Sequence, residues 1–189
     1  LMALLPLIEI VWRRAFHAGV PGSEAFVRHL TLWVGFLGAA IAASRGELLA
    51  LATGTMIPAG GWRRAANVTA AAVGALVATL LARAAADMVM IERQAGGVIA
   101  AGVPVWVGQL VLPIAFGLVA IRLVWRASTG WPGRLFASLG IAAGLAIAQY
   151  PALMEGRAPW PGLALILVGT LLGGPLFALL GGTALLFFL

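Results

Sequence analysis

Apolar residues run along this chain in long, unbroken stretches, at about 1–17, 24–44, 64–87, 104–126, 134–151 and 162–189. The punctuation between them is short: "GVPGSEAF", "SRGELLALATGTMIPAGGWRR", "RQAGGVIAAGVP", "RASTGWPGR" and "MEGRAPWPG". A helix needs about 20 apolar residues to cross a bilayer, and these stretches have about that length. Membrane strands would instead alternate apolar and polar positions over segments of about ten residues. The runs here are continuous and rich in Ala, Leu and Gly. The pattern predicts an all-α integral membrane protein with about six transmembrane helices.

Composition supports this. Of 189 residues, 62% are apolar and 10% charged, far below the quarter that a soluble domain needs for a wettable surface. All twelve basic residues are Arg, and the net charge is +6. In a soluble chain that excess would suggest nucleic acid; here it points to orientation in the bilayer, and no nucleic-acid partner is expected. Arg45, Arg63 and Arg64 lie between spans two and three, and Arg122, Arg126 and Arg134 around the link from four to five. The opposite side has Arg93 and Arg157. With Arg13, Arg14 and Arg28 counted inside helices, this bias puts the N-terminus in the cytoplasm. Trp62, Trp106, Trp125, Trp131 and Trp160 fall at span ends, where an indole favours the headgroup region. Trp12 and Trp33 lie deeper and need a packing explanation. No Cys is present, so disulfides and thiolate metal sites are excluded. "WRRAF" follows the first apolar run instead of preceding it, unlike a cleavable signal.

Local words set the boundaries. Pro21 and Gly22 break the first helix, Ser23 can cap the next, and Glu24 occupies its first turn. Glu47 to Ala52 reads as a short amphipathic piece along the interface, and Pro104 suits the first turn of span four. Along span three, Ala66, Ala70, Gly74, Ala78, Ala82 and Ala86 recur every four residues, a ridge nearly bare of side chains that a second helix can approach. Gly140 and Gly144 have GxxxG spacing. Plain alanine-rich composition is the alternative reading of both.

Ionisable residues inside spans are the candidates for chemistry, because hydrocarbon penalises each by about 2.5–3.5 kcal/mol. Glu9 and Arg13, Glu24 and Arg28, and Arg83 and Asp87 each stand four apart and can pair along one helix face. The tight turn after span one also makes a Glu9–Arg28 pair across helices feasible, with His29 beside it. All lie towards one membrane side and none gathers at mid-depth. Structural ion pairs are therefore favoured over a proton or anion path. Pro113 cannot donate to the carbonyl of Gln109, nor Pro175, after Gly173 and Gly174, to that of Leu171, so both are expected helix breaks. Such breaks line transporter sites, but neighbours repair them in ordinary membrane helices. His17 and His29 have no partner at metal-ligand spacing. No nucleophile–base pair occurs, and "AGGVIAAG" lacks the Lys and Ser/Thr of a phosphate loop. No enzyme, metal or cofactor is expected.

Order and wording then match a known pattern. "PGSEAFVRHLTLWVGFLGAAIAASRGE", "IPAGGWRRA" and "VPVWVGQLVLPIAFGLVAIRL" together resemble the small membrane subunit of TRAP transporters, ATP-independent uptake systems that use a periplasmic binding protein. The resemblance covers 1–126 and implies a four-helix unit with cytoplasmic ends. Where the family often has His after Gly46, this chain has Glu47. "LALILVGTLLGGPLFALLGGTALLFF" is similar to the opening helix of the large TRAP membrane subunit. The expected division is thus 1–126 small-subunit unit, 127–158 connector with one extra span, and 159–189 the first, truncated helix of a fused large subunit. The extra crossing fits, because the small subunit ends in the cytoplasm and the large one starts outside.

The resemblance implies a scaffold portion of a multi-pass transporter in the bacterial inner membrane. It implies sodium-coupled import of an organic anion, usually a carboxylate. The partners implied are the remainder of the large subunit, the periplasmic binding protein and the lipid bilayer. Substrate and sodium sites would lie outside this segment. A non-transporting membrane anchor or assembly subunit is the alternative. A small channel is disfavoured, because no face carries mid-depth polar residues.

Overall fold

A computed structural model describes residues 14, 23–50, 56–58, 60–99, 102–150 and 159–188. The first expected span, with Glu9 and Arg13, lies outside the described residues. The helices are α1 (Ser23–Arg45), α2 (Gly61–Ala95), α3 (Val105–Gln109), α4 (Val111–Arg126), α5 (Trp131–Gln149), α6 (Trp160–Leu171) and α7 (Leu176–Phe188). Among the described residues there are no strands, only isolated bridges at Ala50–Pro175 and Val98–Pro104. Four helical stretches are long and apolar enough to cross a membrane: Glu24–Arg45, Gly61–Ala95, Val105–Arg126 and Trp131–Gln149. The all-α membrane architecture expected from the hydrophobic pattern is what the chain forms.

α2 is the pillar. At 1.5 Å per residue its 35 residues reach about 52 Å, well past a hydrocarbon core of about 30 Å. The hydrophobic pattern stopped it at 87, but "MVMIERQA" carries no helix breaker. It ends at Gly96, whose φ of 68° is the left-handed cap that Gly adopts without a Cβ clash, its N–H bonded to the Glu92 carbonyl.

The small-residue ridge of α2 is buried over its first four members, Ala66, Ala70, Gly74 and Ala78, while Ala82 and Ala86 are half-buried. α4 runs antiparallel along one side, clustering Ala43 of α1 with Ala78, Val119 and Ala120. α5 runs parallel along another, joining Val68, Ala71, Ala127 and Ala137 in a second cluster. The GxxxG pair makes this second contact so close. A Cβ added to Gly140 would strike the Ala72 carbonyl, and one on Gly144 would stand 2.9 Å from the Leu76 carbonyl. Both Gly residues are therefore packing residues. α1 lies on α4, with Phe36 and Phe116 edge to face at 5.3 Å. Its outer face exposes Leu30, Val34, Leu37 and Ile41.

The largest departure from the expected spans concerns 162–189. It is not one rod but a helical hairpin. α6 and α7, of 12 and 13 residues, are each about 18–20 Å long and too short to cross. Gly162 lies against Leu186 and Gly182 against Ile166, so the two helices run antiparallel. The tip sits halfway along α2, with Pro175 against Gly74. Gly173, at φ 98°, makes the reversal that a side chain would oppose. Of the expected amphipathic piece at 47–52, residues 47–50 are described and run extended: the Leu49 carbonyl accepts the Leu176 N–H at 2.8 Å, so the segment caps the hairpin tip.

Replacing Gly140 by Leu should cost about 1–3 kcal/mol through overpacking. Gly38, with nothing within 4 Å of an added Cβ, should accept Ala with no loss and up to about 1 kcal/mol of gain from helix propensity. Unfolding titrations of the two variants in detergent measure both signs.

Candidate functional site

Two interruptions and two charged ends are the places where this apolar chain has polar atoms to use. The first interruption falls at Leu110, between α3 and α4. Its cause is Pro113, whose ring has no N–H and crowds the carbonyl four residues back. The carbonyl that gains an outside donor is that of Gly108, one residue before the expected Gln109. Trp33 Nε1 of α1 donates to it at 2.9 Å. This is the packing explanation that the deep position of Trp33 required. His29, one turn earlier, bonds through Nδ1 to the Ala25 carbonyl at 2.7 Å. Its ring covers Gly108 so closely that a Cβ there would collide with it. The Gln109 side-chain oxygen is buried beside this junction without a hydrogen bond among the described residues.

The second interruption is the hairpin tip. Pro175 ends the ladder, and the turn closes on itself: Leu172 N–H donates to the Val168 carbonyl, Gly173 N–H to Thr170 and Gly174 N–H to Gly169, all at 2.9–3.0 Å. Leu171, whose carbonyl Pro175 was expected to free, is not without a partner. The turn thus answers the carbonyls of Val168, Gly169 and Thr170 with its own N–H groups. Buried hydroxyls are also spent locally. Thr79 donates to the Ala75 carbonyl at 2.7 Å and Thr170 to Ile166 at 2.8 Å. Among the described residues, no three His, Asp or Glu side chains gather as a metal site.

The charged pairs lie outside this core. Arg28 and Glu24 stand 3.5 Å apart on an exposed face, and Arg83 and Asp87 3.1 Å apart, half exposed. In the last turn of α2, Arg93 lies 5.5 Å over the Trp106 ring. The opposite end is richer in arginine. Arg126 Nη1 donates to the Ser44 carbonyl at 2.7 Å, tying the last turns of α1 and α4 together. Gly46 lies under that guanidinium, where a Cβ would come within 2.7 Å of it. Arg134 donates to the Ser128 carbonyl at 3.0 Å and stacks 4.7 Å over Trp125. Trp62, Trp131 and Trp160 are largely exposed at helix starts. The Trp33–Gly108 and Arg126–Ser44 bonds join residues 75 and 82 positions apart, and no local spacing announces such pairs.

Helices of spanning length around a dry core, with polar groups at the ends and at repaired breaks, define a multi-pass α-helical membrane protein. Among the described residues the buried polar side chains are those of Thr79 and Thr170, with the Gln109 side-chain oxygen buried at the first break. Residues 2–133 match the family described as tripartite ATP-independent periplasmic transporters, DctQ component. The chain belongs to this family, and so is a membrane component of a TRAP transporter. No curated protein and no solved structure matches it.

Trp33→Phe keeps the ring's bulk and removes the donor to Gly108. It should lower the unfolding free energy by about 1 kcal/mol, measured by denaturant titration in detergent. A larger melting loss should follow Gly108→Ala, which drives a methyl into His29.

Proposed function

We propose that this chain is the static membrane part of a sodium-coupled importer of an organic anion, usually a carboxylate, supplied by a periplasmic binding protein. The observation that carries this reading is the family match over residues 2–133. The largely apolar described core supports the division of labour, because a solute or sodium path needs polar groups at mid-depth. The buried Thr79 and Thr170 hydroxyls are bonded within their own helices, which leaves the Gln109 side-chain oxygen as the buried side-chain polar atom without a partner among the described residues. Residues 1–126, which include α1–α4, then form the small-subunit unit, and 127–158, with α5, is the connector that carries the chain to the other side. The α6–α7 hairpin belongs to the start of a fused large subunit, held against α2. Its similarity to that subunit's opening segment and the odd connector support the fusion. Glu9–Arg13, Glu24–Arg28 and Arg83–Asp87 serve as structural pairs, and the rest of the large subunit completes the transporter in the bacterial inner membrane.

The arginine-rich end, with Arg45, Arg63, Arg64, Arg126 and Arg134, faces the cytoplasm in this reading, as does the N-terminus. The absence of cysteine makes the topology directly measurable. A single Cys at Thr129 should react with a membrane-impermeant maleimide only after cells are opened, and one at Val98 in intact spheroplasts. The reverse pattern sinks the orientation.

Function is tested with the full-length protein in proteoliposomes. Carboxylate uptake should require both an inward sodium gradient and the binding protein. Arg28→Ala should reduce assembly and uptake together. Loss of sodium-dependent uptake with assembly and stability intact would show that Arg28 is a transport residue and overturn its structural role.

A further inference from the structure

The arginine-rich end holds a cavity that neither the core packing nor the transport reading uses. It lies between the first turns of α2 and α5, has a volume of about 520 Å³, and is lined by Arg64, Ser128 and Thr129 above Val68 and Phe136. The flanking indoles of Trp62 and Trp131 are 81% and 72% exposed, which sets this level at the headgroup region. Neighbouring arginines are committed: Arg63 to the Ile57 carbonyl, Arg126 to Ser44 and Arg134 to Ser128. The Arg64 guanidinium makes no hydrogen bond or ion pair among the described residues. Ser128 Oγ accepts the Gly130 N–H at 3.1 Å, so its own hydrogen is left to donate, and Thr129 also lines the cavity. Three side chains that carry donors thus line one space with an apolar floor. Around it, Arg45, Arg63, Arg64, Arg122, Arg126 and Arg134 are balanced by Glu47 alone.

We propose that this cavity binds one anionic phospholipid of the surrounding leaflet. Its phosphate takes the Arg64 guanidinium and the Ser128 and Thr129 hydroxyls, and an acyl chain runs out over Val68 and the half-exposed Phe136. Charge complementarity selects the occupant. A free anion would satisfy the donors but leave the apolar floor bare, and an apolar chain alone would leave the guanidinium unanswered. Arginine suits the task because its planar fork engages two phosphate oxygens at once. The bound lipid would wedge the α2 and α5 starts at the place where Gly133 already packs against Ser128.

The test is native mass spectrometry of the full-length protein in nanodiscs of phosphatidylcholine with one-fifth phosphatidylglycerol. One phosphatidylglycerol should be retained per chain, and Arg64→Gln should weaken its retention at least about tenfold, the loss of a direct charge-assisted hydrogen bond to the phosphate. Thr129→Val should weaken it less. Arg45→Gln, which removes equal charge at the same end without lining the cavity, should leave retention unchanged. Thermal melting in detergent checks that each variant is folded, and Arg64→Lys should recover part of the binding. Equal loss in Arg45→Gln, or none in Arg64→Gln, overturns the site. So does displacement of the lipid by millimolar inorganic phosphate, which would make the ligand a soluble anion.

Discussion

The structure depends on how closely other backbones can approach one face of α2. Inside a bilayer, lipid tails are as apolar as Leu, so burying Leu against Leu gains little. What remains is dispersion between surfaces in near-atomic contact. Ala66, Ala70, Gly74 and Ala78 supply such a surface. Gly140 and Gly144 let α5 set its backbone against the carbonyls of Ala72 and Leu76, and Gly74 gives Pro175 its seat. Each partner of α2 meets a position where a side chain is missing. The pillar can therefore hold α4, α5 and a hairpin with few large side chains among the most deeply buried residues, which are mainly Ala and Val.

Backbone satisfaction is the second constraint, and it explains the shape of the irregular parts. Water is not on hand to rescue an open carbonyl at depth, so a break survives only where protein completes it. At Leu110 the completing group comes from another helix, through the Trp33 indole. At the hairpin tip it comes from the turn itself and from the Leu49 carbonyl, which receives Leu176 N–H. Both repairs rigidify. Among the described residues, the Gln109 side-chain oxygen is the buried side-chain polar atom left open beside them.

The two ends differ in electrostatic character. At one, acids stand next to arginines on the same helix, as with Glu24–Arg28 and Arg83–Asp87. At the other, arginines outnumber Glu47 and turn to backbone carbonyls, an indole and the headgroup layer. The guanidinium is the group that can use all three, which gives a physical reason for a chain with no lysine.

The number and helical nature of the crossings from Ser23 to Gln149, the interfacial Trp residues and the family were legible in the residue pattern, because lipid demands long apolar helices and little else. The small-residue ridge was visible as a spacing, but its partner was not. Gly140 and Gly144 could have been ordinary composition until Ala72 and Leu76 came against them. Pro113 and Pro175 marked breaks in the sequence by removing a donor. Whether a break becomes a gentle interruption or a complete reversal was decided by tertiary contact. At 110 the flanking helices continue in line across α1's Trp33, whereas at 172–175 the chain turns back because Gly74 and the 46–50 segment form a socket for Pro175. Hydrophobicity cannot distinguish these outcomes, since a 28-residue apolar stretch satisfies lipid either as one rod or as two short ones.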